Sequence, residues 1–152
     1  MRLTIHTNYA IEVLAFLATN MGGRLTTLEI ATALGGSKNH LTKVVHRLSI
    51  AGYIATGRGR AGGVTLARPV VDITIGEVVR LMENVSSVVD CYRDGRAVCK
   101  VAGACAMQGM IGEAVIAFFE VLDKYSIADL VNNKDLLGEL DFVTKPKLAP
   151  PK

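Results

Sequence analysis

The chain has three cysteines, Cys91, Cys99 and Cys105, and all of them fall in one stretch, C-Y-R-D-G-R-A-V-C-K-V-A-G-A-C. Thiolates close together on a pliable backbone are the ligands that iron-sulfur clusters and soft metal ions prefer. Seven residues separate the first two cysteines and five separate the last two, unlike the paired C-x-x-C of zinc ribbons and fingers. The spacing therefore predicts a metal centre and favours an iron-sulfur cluster.

Two alternatives to a cluster stay open on the residues alone. A structural zinc ion held by the three thiolates and a histidine would use the same cysteines, and three unligated thiols would need no metal. Gly95 and Gly103 would let the backbone wrap a cluster, and Arg93, Arg96 and Lys100 would offset its negative charge. These neighbours favour the cluster.

Positive charge without acids precedes the cysteines. The net charge is only +3, but no acidic residue occurs between Glu29 and Asp72. Such a patch is an electrostatic footprint for nucleic-acid phosphate, whereas the alternative is a solvated basic face on an ordinary helix pair. The cations in the interval, which favour nucleic acid, are Lys38, Lys43, Arg47, Arg58, Arg60 and Arg68, with His40 and His46 among them.

Two helices joined by a glycine turn are predicted around this patch. Apolar residues at helical spacing first predict a helix from Thr7 to about residue 20. A capping box, T-T-L-E at 26–29, then opens a helix that ends at Gly35-Gly36, and Ser37 is expected to cap a cationic helix over 38–50. The last two helices are typical of a helix-turn-helix.

A glycine- and arginine-rich hairpin is predicted next. Strands are expected at 53–56 and 64–67, around the tip G-R-G-R-A-G-G. The tip glycines would let Arg58 or Arg60 approach a minor groove or its phosphates. The predicted fold class is mainly α with a small β-hairpin wing: a winged helix-turn-helix followed by a long dimerisation helix.

Candidates for DNA contact lie at the start of the cationic helix, where a recognition helix meets base edges. Asparagine can bond an adenine edge through two atoms, and lysine can donate to guanine. An alternative role for the asparagine is to support the helix cap. We therefore predict base contacts from Lys38, Asn39, His40 and Lys43, and phosphate contacts from Ser37 and Arg47.

The second half of the chain is predicted to be helical around the cysteines. A second capping box, T-I-G-E at 74–77, begins a helix that ends near residue 84. The cysteine segment, residues 85–106, is expected to be a loop. A long helix over 107–125 with an apolar stripe and a short helix over 127–131 after Ser126 follow.

The long helix offers a seam for a homodimer, which would read palindromic double-stranded DNA. The alternative is packing within one subunit. The predicted domains are a winged helix-turn-helix over 1–84, a cluster loop with a dimerisation helix over 85–132, and a flexible tail over 133–152.

Composition argues against several classes of protein. With 152 residues and 50% hydrophobic content the chain can bury one core, and no apolar run approaches the roughly 18 to 20 residues that span a bilayer. The opening M-R-L-T-I-H-T-N carries no apolar signal core, so a cytoplasmic protein without a membrane partner is expected. The hairpin tip lacks the lysine and hydroxyl of a phosphate loop, and the histidines have no triad partners, so no enzyme is expected.

Over about residues 1–132 the sequence resembles the Rrf-two family of bacterial winged-helix iron-sulfur regulators. Besides the cysteines, the matching pieces are M-R-L-T-x-x-T-N-Y-A, S-K-N-H-L-T-K-V-V-H-R-L, G-R-G-R-A-G-G-V-T-L-A-R-P and I-T-I-G-E-V-V. The stretches N-H-L-x-K-V-V-H-x-L and D-K-Y-S-I-A-D-L-V look most like the nitric-oxide-sensing NsrR branch. The T-N-Y-A opening and the cysteine spacing are similar to the rhizobial iron-responsive RirA branch.

The resemblance implies a homodimeric repressor whose oxygen- and nitric-oxide-reactive cluster, of the [4Fe-4S] type, is bound by the three cysteines. Aerobic preparation is expected to leave the apo form. Nitric oxide is the expected signal. The alternatives are an iron-responsive or cluster-status regulator of the RirA or IscR kind and a cluster-free winged-helix protein.

The fourth ligand departs from the family pattern. NsrR-type proteins use an aspartate from the other subunit, and the matching position here is Asn8; the histidine of the IscR branch corresponds to Gln108. The remaining candidates are Asn8 itself, Glu12 one helical turn later, and His6, or a water or small thiol.

Overall fold

A computed structural model describes residues 3–20, 23–57, 59, 62–83 and 106–132. Six helices and one two-stranded hairpin make up this part of the chain, which confirms the predicted fold class. In chain order the elements are α1 (Ile5–Thr19), α2 (Thr27–Ala33), α3 (Lys38–Ile50), β1 (Ile54–Gly57), β2 (Gly63–Leu66), a short 3-10 turn (Val70–Asp72), α4 (Ile75–Met82), α5 (Ala106–Leu122) and α6 (Ile127–Asn132).

The core is built around α1, which packs against α3, α4 and α6. Residues 13–17 of this helix are buried in succession, as expected for a helix with neighbours on several sides. Its partners contribute one apolar face each, which leaves their other faces free for function. The largest fully buried side chains include Leu14, Ile30, Leu41, Leu48, Ile73 and Ile127.

The first helix begins at Ile5, so the predicted start at Thr7 is wrong. Thr4 is the N-cap residue, but its side chain makes no capping hydrogen bond. Its backbone N–H instead donates to Glu83 Oε1 at 2.6 Å, and the hydroxyl of Thr7 donates to the same carboxylate. The carboxylate that accepts hydrogen bonds at the start of α1 thus belongs to a residue remote in sequence, and a local sequence pattern does not reveal it.

The helix-turn-helix forms as predicted. Thr26 and Glu29 complete the capping box, with Glu29 N–H donating to Thr26 Oγ1 at 3.2 Å and Thr26 N–H donating to Glu29 Oε2 at 2.7 Å. In the turn, Gly35 has a φ of 61°. A Cβ on Gly36 would lie 2.8 Å from the Leu41 side chain, so a larger residue here would displace that buried leucine.

The wing is an antiparallel hairpin in which Ile54 pairs with Leu66 and Gly57 pairs with Gly63. Each strand is shifted by one residue from the predicted 53–56 and 64–67. Tyr53 is buried instead, beneath the Arg68 guanidinium at 5.1 Å from its ring centroid. A bridge between Leu25 and Val64 adds the segment before α2 to the edge of the hairpin.

Hydrogen bonds and an ion pair join the carboxyl-terminal helices to the winged domain, the part of the chain before residue 84. Ile75 N–H donates to the Tyr125 carbonyl at 2.8 Å, and Ile127 N–H donates to the Ile73 carbonyl at 2.9 Å. Arg80 pairs with Asp123 through two bonds of 2.6 and 2.7 Å. The predicted capping box at 74–77 is present, and the long helix ends at Leu122, three residues before the predicted position 125.

Several predictions lie outside the residues that the structure describes. They concern Arg58 and Arg60 at the wing tip, the three cysteines, nearly all of the cysteine segment and the tail over 133–152. The predicted domain boundaries stay predictions.

Candidate nucleic-acid interface and its connection to the cysteine segment

The third helix separates an apolar face from a cationic one. Leu41, Val44, Val45 and Leu48 are buried, because they recur at three- and four-residue spacing and face the core. The opposite side is exposed to solvent. It carries Lys38, Asn39, His40, Thr42, Lys43, His46 and Arg47.

The first turn of α3 presents the side chains predicted to meet DNA. Ser37 is the N-cap residue, yet its side chain makes no capping hydrogen bond, and the first turn contains no acidic residue. The free amides of a helix N-terminus carry partial positive charge, which attracts phosphate. Ser37, Lys38, Asn39 and His40 are therefore together on an exposed turn suited to an anionic partner.

Lysine charges on α3 are not neutralised by the part of the protein that the structure describes. Its ion pairs there are Arg68 with Glu77 and Arg80 with Asp123. Lys43 lies on the exposed face one turn after Asn39. The two α3 lysines, Lys38 and Lys43, thus keep their charge for an external partner.

Arg47 occupies a different position from the one expected of a phosphate contact. Its guanidinium donates to the carbonyl of Leu81 and, at 3.3 Å, to the carbonyl of Met82. These carbonyls lie at the end of α4, where the helix dipole favours a cation. Arg47 ties α3 to α4, and its contact with phosphate stays a prediction.

His6, a candidate for the fourth metal ligand, lies against α3, the predicted recognition helix. Its Nε2 is 3.1 Å from Nδ1 of His40, and the two ring centroids are 5.1 Å apart. Tyr9 extends the group, with its ring centroid 6.5 Å from that of His40. The structure thus joins one metal-ligand candidate to one DNA-contact candidate.

The other two candidates for the fourth ligand lie one helical turn apart on α1, on one side of the helix. Asn8 is exposed and Glu12 is half-buried. Burial raises the pKa of the Glu12 carboxyl above its ordinary value. Among the described residues, no group of three or more His, Cys, Asp and Glu side chains could hold a metal ion.

Arg24 is an exposed cation that sequence analysis missed. The bridge from Leu25 to Val64 brings it beside the wing. A Cβ on Gly63 would lie 2.8 Å from Arg24 Cβ, and one on Gly57 would lie 3.1 Å from Arg24 Nη1, so the side chain lies along the glycine ends of both strands. It falls before the acid-free interval in sequence, and only strand pairing reveals its position.

The fold, the exposed cationic helix and the wing define a winged-helix DNA-binding regulator. The Rrf2 (Rrf-two) family model, described as an iron-dependent transcriptional regulator, matches residues 3–133. The chain therefore belongs to the Rrf-two family of transcriptional regulators, and it is not an enzyme.

Relatives and solved structures agree with this assignment. The transcriptional regulator NsrR of Bacillus subtilis is 43% identical over 141 residues, which cover 92% of this chain and 97% of that protein. The structure of T. potens IscR has a TM-score of 0.67 at 23% identity and covers 100% of this chain and 94% of its own. The structure of CymR, the global cysteine regulator of B. subtilis, has a TM-score of 0.65 at 25% identity and covers 86% of this chain and 96% of its own.

No helix in the described ranges has the length and apolar character that a membrane span requires.

Proposed function

We propose that the protein is a homodimeric transcriptional repressor that responds to nitric oxide through an iron-sulfur cluster held by Cys91, Cys99 and Cys105. The observation that carries this proposal is the bonding of α3 to the end of α4. Arg47 joins the recognition helix to Leu81 and Met82, a few residues before the segment that contains every thiol of the chain.

The donor set fits a cluster better than a lone ion. Three thiolates are soft ligands suited to iron-sulfur chemistry, and Arg93, Arg96 and Lys100 would offset the charge of a [4Fe-4S] centre. Asn8, exposed on α1, is accessible to a partner subunit. When bound, the cluster would supply iron that reacts with nitric oxide, and a weak amide ligand would leave one iron open to the gas.

The DNA contacts follow from the exposed turn of α3. Lys38, Asn39, His40 and Lys43 would meet base edges in the major groove, while Ser37 and the helix N-terminus would bind phosphate. At the wing, Arg58 and Arg60 would contact the minor groove or its phosphates. Arg24 adds a cation beside Gly57 and Gly63, the strand ends next to the wing tip.

Dimerisation is supported by the apolar surface of α5. Met107, Met110 and Val121 are 59%, 67% and 51% exposed and lie on one side of the helix. Exposed apolar side chains grouped in this way mark an interaction surface. Because a two-fold dimer presents two recognition helices, its operator would be palindromic.

Cluster state and operator binding would be linked through the spacing and tilt of the two recognition helices. A coupling of about 1 to 3 kcal/mol, the usual range, changes DNA affinity roughly 5- to 150-fold. That is sufficient for a transcriptional switch.

Alanine substitution of each cysteine tests the proposal. We expect Cys91→Ala, Cys99→Ala and Cys105→Ala each to abolish the difference in operator affinity between protein kept under anaerobic conditions and protein treated with nitric oxide. A Ser87→Ala variant, altered in the same segment without loss of a thiol, is the control. Unchanged regulation in all three cysteine variants would eliminate the cluster and leave a cluster-free DNA-binding protein.

Iron availability is the second candidate signal. The matching family is described as iron-dependent, and the T-N-Y-A opening with this cysteine spacing is similar to the RirA branch. An iron chelator would then release the operator, whereas nitric oxide would act slowly. Comparison of operator release by the two reagents on one protein preparation separates the candidates.

A further inference from the structure

Glu83 occupies the junction between the winged domain and the cysteine segment. It is the C-cap residue of α4, with extended backbone angles of φ −97° and ψ 146°, and the chain continues from it towards Cys91. Its carboxylate accepts a hydrogen bond from Thr4 N–H at 2.6 Å and another from the Thr7 hydroxyl. The Glu83 side chain therefore connects the end of α4 to the first turn of α1.

The Thr7 bond is enforced by burial. Thr7 is 0% exposed, and a buried hydroxyl without a partner is costly. Partial burial raises the pKa of Glu83, but the hydrogen bonds from Thr7 and Thr4 and the charge of Arg47 outweigh that effect and lower it overall. The carboxylate is thus ionised at neutral pH and bound on the α1 side.

The recognition helix is bonded to the same junction from its other end. Arg47 donates to the carbonyls of Leu81 and Met82, the two residues that precede Glu83. Hence residues 81–83 contact α1 through a carboxylate and α3 through two carbonyls. A displacement at residue 83 would therefore act on both helices, because the backbone of residues 81–83 is continuous.

A second tie joins α1 and α3 near their beginnings. His6 and His40 lie 3.1 Å apart, with His6 next to Thr7 in the first turn of α1 and His40 in the first turn of α3. The recognition helix is therefore held at its first turn through α1 and near its last turn through the end of α4. Arg47 binds the two residues before Glu83, and His6 lies in the turn of α1 that Glu83 binds, so both contacts are connected to Glu83.

We propose that Glu83 is a positioning residue that transmits the state of the cysteine segment to the recognition helix, by holding the end of α4 against the first turn of α1. This inference rests on the proposed function, since it names the residues through which that regulation acts. Glu83 binds neither DNA nor metal in this role. Its removal uncouples the two sites and leaves each of them intact.

Two substitutions break the junction and two conserve it. Glu83→Ala removes the acceptor, and Thr7→Val removes the buried donor. Glu83→Gln keeps an oxygen that accepts from Thr4 and Thr7, and Thr7→Ser keeps the hydroxyl. Glu83→Ala leaves the buried Thr7 hydroxyl with only the longer 3.3 Å contact to Thr4 Oγ1 and risks unfolding, so Thr7→Val provides the second test.

The first measurement is operator affinity for each variant in cluster-loaded and cluster-free form, with iron content measured alongside. We expect the parent and the two conserving variants to differ roughly 5- to 150-fold between forms, the usual allosteric range. Glu83→Ala and Thr7→Val should bind the same iron but show a difference of about twofold or less. A full parental difference in both would overturn the role of Glu83 while the proposed function stands.

The second measurement needs no metal. In the cluster-free parent and Thr7→Val proteins, amide hydrogen exchange is compared across α1 and α3. The junction predicts faster exchange in the first turn of α1 and also in the last turn of α3 around Arg47. Faster exchange in α1 alone would overturn the connection. No affinity difference in the parent itself would instead overturn the proposed function.

Discussion

Nε2 of His6 and Nδ1 of His40 lie 3.1 Å apart, so the first turn of α1 is bonded to the first turn of the recognition helix. One ring must donate and the other accept, which sets the orientation of His40 on an exposed surface. His40 is a candidate for base contact, and His6 lies two residues from Asn8. The pair therefore joins one candidate base contact to one candidate fourth ligand.

A double-mutant cycle measures that bond. We expect His6→Ala and His40→Ala, alone and together, to show an interaction of about 0.5 to 1 kcal/mol in the free energy of unfolding. Urea denaturation of the cluster-free protein gives the four values. Strictly additive effects would show that the two rings do not stabilise the contact between α1 and α3.

Asn39 provides the sharpest test of base recognition. If its amide bonds an adenine edge through two atoms, Asn39→Ala should weaken operator binding by about 1 to 3 kcal/mol and relax the preference at one base position. Binding to unrelated DNA should change little. Fluorescence anisotropy with operator and scrambled duplexes measures both, and Lys124→Ala, an exposed cation beyond α5, is the matched surface control.

An equal loss of affinity for operator and scrambled DNA would contradict base recognition by Asn39. In that case the side chain supports the helix N-terminus or a phosphate contact.

Periodic and capping signals predicted most of the fold, because they depend on nearby residues. The α3 bounds, the capping boxes at 26–29 and 74–77 and the hairpin all follow from patterns a few residues long. The start of α1 was missed because Glu83 supplies its cap from the far end of the winged domain. Thr7, the predicted N-cap residue, lies within the first turn of α1, and its side chain is fully buried.

The candidate site divides in the same way. Exposure of Asn39 and Lys43 follows from helical spacing, so the sequence predicted it. The contact of Arg47 with the end of α4 and the approach of Arg24 to the wing depend on tertiary packing. A cation by itself gives no sign of which carbonyl, glycine strand or phosphate it will meet.

The surface of α5 predicts the oligomeric state. Met110 is 67% exposed, and a lysine there would place a charge in the proposed seam. We expect Met110→Lys to shift the protein from dimer to monomer in sedimentation velocity, with an unchanged circular dichroism spectrum. Val71→Lys is the matched control, since Val71 is similarly exposed, at 65%, on the winged domain. A dimeric Met110→Lys protein would exclude this face as the interface.

Acid stability should depend on Asp123. The hydrogen bonds from Arg80 hold the pKa of Asp123 below its ordinary value. A carboxyl with a lowered folded-state pKa stabilises the fold above its unfolded pKa, about 3.9, and this contribution is lost as the pH falls through the lower folded value. The melting temperature of the parent should therefore fall more steeply below about pH 4 than that of Asp123→Asn.

The comparison isolates one carboxyl, because the other groups with lowered pKa values, among them Glu29 and Asp129, are common to both proteins. If the melting temperatures of the two proteins fell in parallel across this pH range, the pair between Asp123 and Arg80 would not form in solution.

We propose that a cluster on the three cysteines controls operator binding. Nitric oxide titration of anaerobically purified protein tests this control most directly. Absorbance, iron and sulfide content and operator affinity are measured on the same samples. We predict broad visible absorbance, about four irons per subunit, and loss of operator binding in step with loss of that absorbance. A colourless protein, with zinc or no metal, that binds its operator equally with and without nitric oxide would contradict the account.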